Sequence, residues 1–159
     1  MVLPTPLRIV LDTNILLRGL LNSGSSSGRI LDACERRSLV PLLSRPVLLE
    51  YRTILTNPEL VKRYPILKRR RTKVLLERLA YLSDVVRTVR ERFPFPRDPE
   101  DAKLLELSIA GNATHLITTD NDLLDLRHGR SETAKRLRRK LPSLAIVTPI
   151  EFVEKERLV

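Results

Sequence analysis

Short apolar runs alternate along this chain with longer stretches whose apolar residues recur every three or four positions, the pattern of buried strands interleaved with amphipathic helices. The first run, Ile9, Val10 and Leu11, is rich in β-branched residues and unbroken by polar ones. Such a run fits a strand covered on both faces of a parallel sheet. A helix over residues 15–21 follows. The polar loop NSGSSSG at 22–28 leads into a helix beginning near Arg29, with a late serine as its cap and Ile30, Leu31 and Ala33 as its inner face. A second apolar run at 39–43 predicts the next strand, and Pro46 stands where the first turn of a helix accepts proline. Val47, Leu48, Tyr51, Ile54 and Leu55 give that helix its spacing, and Asn57-Pro58 ends it. Helices over 59–64 and 67–82 follow, separated at Pro65.

The second half repeats the alternation. VVRTV at 85–89 reads as a short strand. DPEDAKLLELSIAGN reads as a helix with Asp98 as its N-cap, Pro99 in its first turn and Gly111 as its stop. HLITT at 115–119 is the next strand, followed by a short helix over 123–126 capped by Asp122, a helix over 132–141 and a strand over 144–147. Thr148-Pro149 opens a final amphipathic helix with Ile150 and Val153 facing inward. Strands alternating with helices predict parallel βαβ units with right-handed crossovers. The expected fold is therefore α/β, a three-layer α/β/α sandwich around a mostly parallel central sheet.

At 159 residues, 42% hydrophobic and 30% charged, the chain has room for one domain with a full core and contains no low-complexity tract. No apolar run nears the roughly 18 residues of a membrane span. The start MVLPTPLR has neither the basic end nor the length of a secretory signal, so a cytoplasmic protein is expected. The single cysteine, Cys34, excludes an internal disulfide. With only His115 and His128 beside it, a thiolate and imidazole zinc site lacks ligands, so a metal here needs oxygen donors. The formal net charge is +10, with basic residues concentrated at 62–73 and 127–140. This predicts attraction to a polyanion such as nucleic acid, with solvated helix faces as the plain alternative. Three Tyr, three Phe and no Trp favour phosphate contact over base stacking.

The candidates for chemistry are carboxylates at element ends. Asp12 directly follows the first strand and Asp120 the strand at 115–119, at the edge where open α/β sheets bind ligands. The helices carrying Glu50 and Asp101 begin at that same edge, so all four acids can converge. Three of them also have ordinary readings: Asp12 (or Asn14) as a helix cap, Glu50 and Asp101 as acids favouring a helix dipole. Carboxylates within a few ångströms of one another, however, cannot all stay ionised without raised pKa values or a cation. A hard divalent ion, Mg²⁺ or Mn²⁺, prefers such oxygen donors, and phosphodiester hydrolysis is chemistry it supports. Asn14 and Thr118 can orient ligands from behind, or be ordinary turn and strand residues.

The segments VLDTNILLRGLL, LSRPVLLEYRTIL and DPEDAKLLELSIAGNATHLITTDNDLLDL, in this order and with the closing IVTPIEFV, resemble PIN-domain ribonucleases. The closest resemblance is to PIN toxins of bacterial and archaeal toxin–antitoxin systems. It implies a single PIN-like, Rossmann-like domain over 1–159, with catalytic and metal-binding acids at Asp12, Glu50, Asp101 and Asp120. It further implies that Asn14, Thr118 and Asp122 support the site, and that single-stranded RNA is cut with Mg²⁺ or Mn²⁺. A homodimer and inhibition by an antitoxin protein are also implied. The chain departs from the family pattern at about 127–143, a basic helical insertion where relatives pass quickly to the last strand. Asp98 is an extra acid, cap or ligand. Two rivals stand beside this reading. One is a structure-specific DNA nuclease, since phosphate contacts do not identify the sugar. The other is a non-catalytic PIN-fold module that binds RNA or protein, against which the intact acid quartet counts.

Overall fold

Ile9 and Leu11 face one side of the sheet and Val10 the other, and all three are buried, which requires helices on both faces. The computed structural model describes residues 5–158. Residue 159 and residues 1–4, the beginning of the segment weighed above as a signal, lie outside the described residues. Five parallel strands, β1 (Leu7–Leu11), β2 (Leu39–Leu43), β3 (Asp84–Val85), β4 (His115–Ile117) and β5 (Ala145–Val147), form one sheet in the order β3-β2-β1-β4-β5. The helices are α1 (Thr13–Leu21), α2 (Ser26–Glu35), α3 (Arg45–Leu55), α4 (Pro58–Arg63), α5 (Arg69–Leu82), α6 (Ala102–Ala110), α7 (Asn121–Leu124), α8 (Glu132–Lys140) and α9 (Pro149–Glu156). The sheet is thus wholly parallel, in the expected α/β layering.

Two cores flank it. On one face Ile9, Leu11 and Ile117 pack against Ile15 of α1, Ile30 and Ala33 of α2, and Phe152 and Val153 of α9. On the other, Val10 and Leu116 meet Val47, Tyr51 and Leu55 of α3, Leu76 and Leu79 of α5 and Leu104 of α6. Each such side chain fully removed from water contributes about 1.5–3 kcal/mol before conformational entropy is counted. Serine and threonine caps set where helices begin. Ser25 accepts from Gly28 N, Ser44 from Val47 N, Ser131 from Ala134 N, and Thr148 forms a capping box with Glu151. Among the described residues no helix is long and apolar enough to cross a membrane.

Several boundaries differ from the expected ones. The strand expected at 85–89 is only Asp84–Val85. Val86 N still reaches Leu43 O (2.8 Å), but β2 then turns at Ser44 into α3, leaving residues 87–89 no strand to pair with. β4 likewise stops at Ile117, because its neighbour β5 ends at Val147 and Thr148 begins to cap α9. Asp120, not Asp122, caps the following helix, its side chain accepting from Asp122 N (2.9 Å). Asp98 makes no side-chain cap. The backbone enters α6 through a 3₁₀ turn, Pro99–Asp101. Ile150, expected inside, is 61% exposed. Pro149, Phe152 and Val153 define the buried face of α9, and a helix turning about 100° per residue leaves position 150 outside it.

Candidate metal centre

Between β1 and β4 the sheet changes direction of growth: β1 crosses over to β2 on one side, whereas β4 leads to β5 on the other. Such a switch point opens a crevice beyond the carboxyl ends of the strands. Asp12 and Asp120 stand on its two sides. Asp12 occupies the N-cap position of α1 without a side-chain capping bond. Its Oδ2 instead accepts from Thr118 Oγ1 (2.8 Å), and its backbone N–H donates to Ile117 O (3.0 Å). The Thr118 hydroxyl also accepts from Asp120 N (3.0 Å), so one buried threonine ties the two strand ends together. Burial pushes the Asp12 carboxyl above its usual range. Thr118 and the Thr13 backbone oppose that shift, and the charges of Glu50 and Asp120 add to it.

Asp101 arrives from the other direction. The 3₁₀ turn before α6 carries it into the crevice, where it is buried and its Oδ2 has no hydrogen-bond partner. Its pKa is pushed up to about 8, first by burial, then by the charge of Asp12, a side-chain hydrogen bond with Asp120 and the charges of Asp98 and Asp120. Asp98, Asp101 and Asp120 each offer an oxygen within 4.8 Å of the others. Two buried carboxyls with raised pKa values, one orphaned oxygen and an all-oxygen donor set suit a hard divalent cation, which would relieve both the repulsion and the missing partner.

Glu50, one turn and a half into α3, reaches the same edge but is held differently. Thr13 Oγ1 donates to its Oε2 (3.0 Å) and Lys103 Nζ to its Oε1 (3.1 Å). Burial alone would lower the Lys103 ammonium, but Glu50 and then Glu100 outweigh it and hold it raised. Tyr51, the next residue of α3, donates its hydroxyl to Leu11 O (2.5 Å), locking that helix to the end of β1. Of the other sequence candidates, Thr118 lies at the heart of the site and Asn14 is exposed on α1. The Asp122 side chain pairs with Arg97, and only its backbone N–H bonds Asp120. Lys103, Thr13, Tyr51 and Arg97 were not singled out from the sequence. Lys103 carried the one usable signal, a lone cation in the helix AKLLELSIA two residues past Asp101. A large surface cleft of about 970 Å³ lies elsewhere, between Leu20 and the 65–78 segment.

A relative among curated proteins, an uncharacterized protein of Methanocaldococcus jannaschii, is 30% identical over 149 residues, covering 93% of this chain and 90% of the relative. No solved structure matches the chain significantly. A family model described as PIN domain matches residues 8–122. That match runs from the strand that delivers Asp12 to the helix that Asp120 caps, enclosing every acid of the crevice, and the chain belongs to the PIN domain family.

Proposed function

We propose that this chain is a Mg²⁺- or Mn²⁺-dependent endoribonuclease acting on single-stranded RNA. The observation that carries the reading is the buried, partnerless Asp101 Oδ2 among acids whose charges oppose one another. PIN domains are generally metal-dependent nucleases, and Asp101 and Asp120, with Asp12 beside them, are the residues that would hold the ion. When bound, a divalent cation supplies polarisation of the scissile phosphodiester and activation of the attacking water. Thr118 aims Asp12 and fixes Asp120 at the strand ends. The Asp120 side chain, by bonding Asp122 N, keeps α7 from unwinding at the crevice.

Substrate approach falls to the basic residues. Helix α5 leads directly into β3, and its Arg78 pairs with Glu35 at the end of α2, so its far end lies at the amino edge of the sheet. Arg69, Arg70, Arg71 and Lys73, at its start, therefore lie toward the carboxyl edge where the acids are. They are exposed, and they supply sequence-independent contacts to a phosphate backbone. The test is a parallel assay of labelled RNA and DNA strands of one sequence with Mn²⁺, Mg²⁺ or chelator. Cleavage of RNA in preference to DNA supports the reading. Preferred cleavage of DNA overturns the RNA assignment, and binding without cleavage of either replaces the enzyme with a binding module.

The toxin role belongs to the same proposal. What supports it is the cleft beside α5, whose apolar Leu20, Ile66 and Val74 lie among the cationic Lys68, Arg70 and Arg71. Those walls suit an acidic amphipathic segment of an antitoxin. Induced expression in a bacterial host should arrest growth, and Asp101→Asn should restore it. Undisturbed growth at full expression would leave a nuclease that is not a toxin.

A further inference from the structure

Glu50 differs from the other acids of the crevice in what already holds it. Both its oxygens have donors, Thr13 Oγ1 at 3.0 Å and Lys103 Nζ at 3.1 Å. The Lys103 side chain, 22% exposed, is braced a second time by Glu100 at 3.5 Å. Asp98, Asp101 and Asp120 have the opposite character. Among the described residues no lysine or arginine pairs with them, and Asp101 Oδ2, on a side chain nine-tenths buried, has no donor at all.

We propose that the divalent cation of this chain is held by Asp98, Asp101 and Asp120, and that Glu50 is a positioning residue kept out of the coordination set by Thr13 and Lys103. The proposal rests on the metal-dependent reading above. It departs from the ligand set implied by the family resemblance by admitting Asp98, excluding Glu50, and leaving Asp12, whose Oδ2 is already bonded by Thr118 Oγ1, beside the ion rather than on it.

Local geometry explains how Asp98 joins. The turn Pro99–Asp101 is 3₁₀, with Asp101 N donating to Asp98 O (3.1 Å). Asp98 itself is extended (φ −151°, ψ 89°), and the tight turn that follows folds the chain back so that oxygens of Asp98 and Asp101 lie within 4.8 Å of each other. An ordinary helix start would have used the Asp98 carboxylate as a cap, but here it makes no capping bond and stays available. Charge explains why Glu50 does not join. Placing a doubly charged ion on Glu50 would set it beside the Lys103 ammonium or break a half-buried ion pair, and either is costly. Three carboxylates without a protein cation attract the ion more strongly. The Glu50–Lys103 pair then serves as a strut between α3 and α6 across the rim of the crevice.

The test is calorimetric titration of Mn²⁺, without RNA, into the wild type and the variants D98N, D101N, E50Q and K103M, each checked for folding by circular dichroism. D98N and D101N should weaken Mn²⁺ binding by about tenfold or more, no less than loss of an indirect support does. E50Q should change it by less than about threefold, the effect of a nearby screened charge. K103M, which frees Glu50, should not weaken it. The Asp98 side chain caps nothing, so D98N should fold, and D98A provides a second variant with the same expectation. Binding by D98N at wild-type strength, or a loss in E50Q equal to that in D101N, would overturn the proposal. If the wild type cleaves with metal while D98N binds normally, only this ligand assignment fails. If the wild type binds no Mn²⁺, the metal-dependent reading fails with it.

Discussion

The Thr118 hydroxyl does two jobs, donating to Asp12 Oδ2 and accepting from Asp120 N, in a place with no access to water. Thr118→Val removes both while keeping the shape, leaving a buried carboxylate oxygen and an amide without their partners. The expected loss is about 1–3 kcal/mol in urea unfolding, with weaker Mn²⁺ binding in the same variant. An unchanged midpoint would mean that neither hydrogen bond contributes to stability. Asp101 carries a pH signature. Burial, then its acidic neighbours, raise its pKa from 3.8 to about 8, so between those values the folded state holds a proton that the unfolded chain has released. That contribution to stability is complete below the unfolded value and is lost as pH rises through the folded one. In chelator, the wild type should therefore lose melting temperature relative to Asp101→Asn as pH rises from about 5 to about 8. Mn²⁺ should cancel that difference. Parallel pH profiles for the two proteins would contradict a protonated Asp101.

At the scale of elements, the crevice is built from endings: β1 stops at Asp12, β4 just before Asp120, and a 3₁₀ turn delivers Asp101 to α6. Tyr51 links the helix that carries Glu50 to the last carbonyl of β1. Tyr51→Phe should cost about 1 kcal/mol in urea unfolding, the net worth of one buried hydrogen bond. A loss near zero would mean that the Leu11 carbonyl finds another donor. The acids at strand ends were legible in the sequence because an apolar run closing on a carboxylate is a local signal. Strand lengths were less so, because a strand ends when its neighbour does. Residues 87–89 have strand-like side chains but no partner beyond Ser44. Asp120 rather than Asp122 caps α7, a choice the run TTDND leaves open because either acid can bond an amide two residues on. Ile150 and Val153 are three apart and so fit an inward stripe, yet Phe152 fixes the face one residue over. The Glu50–Lys103 pair joins residues 53 positions apart, beyond any spacing rule.

Across the whole molecule, the sheet order decides what the +10 charge can do. The two basic runs, alike in sequence, sit differently relative to the crevice. The start of α5 lies toward the acids. Helix α8 leads toward the amino end of β5, so Arg138, Arg139 and Lys140 at its end lie away from them, and Lys140 is already paired with Glu91 at 3.0 Å. In an Asp101→Asn background, which prevents cleavage, R70E/R71E should therefore weaken RNA binding and lower its salt slope by about 1–1.5. R138E/R139E should do less, and equal effects of the two pairs in fluorescence polarisation would contradict the assignment of α5 as the substrate-facing helix. The most direct single measurement is the rate of single-stranded RNA cleavage as Mn²⁺ is titrated into wild-type and Asp101→Asn protein. A saturable metal dependence in the wild type, abolished by chelator and reduced by about a hundredfold or more in the variant, is expected if the buried acids are the reacting centre. Cleavage that persists in chelator, or that Asp101→Asn leaves intact, would contradict it.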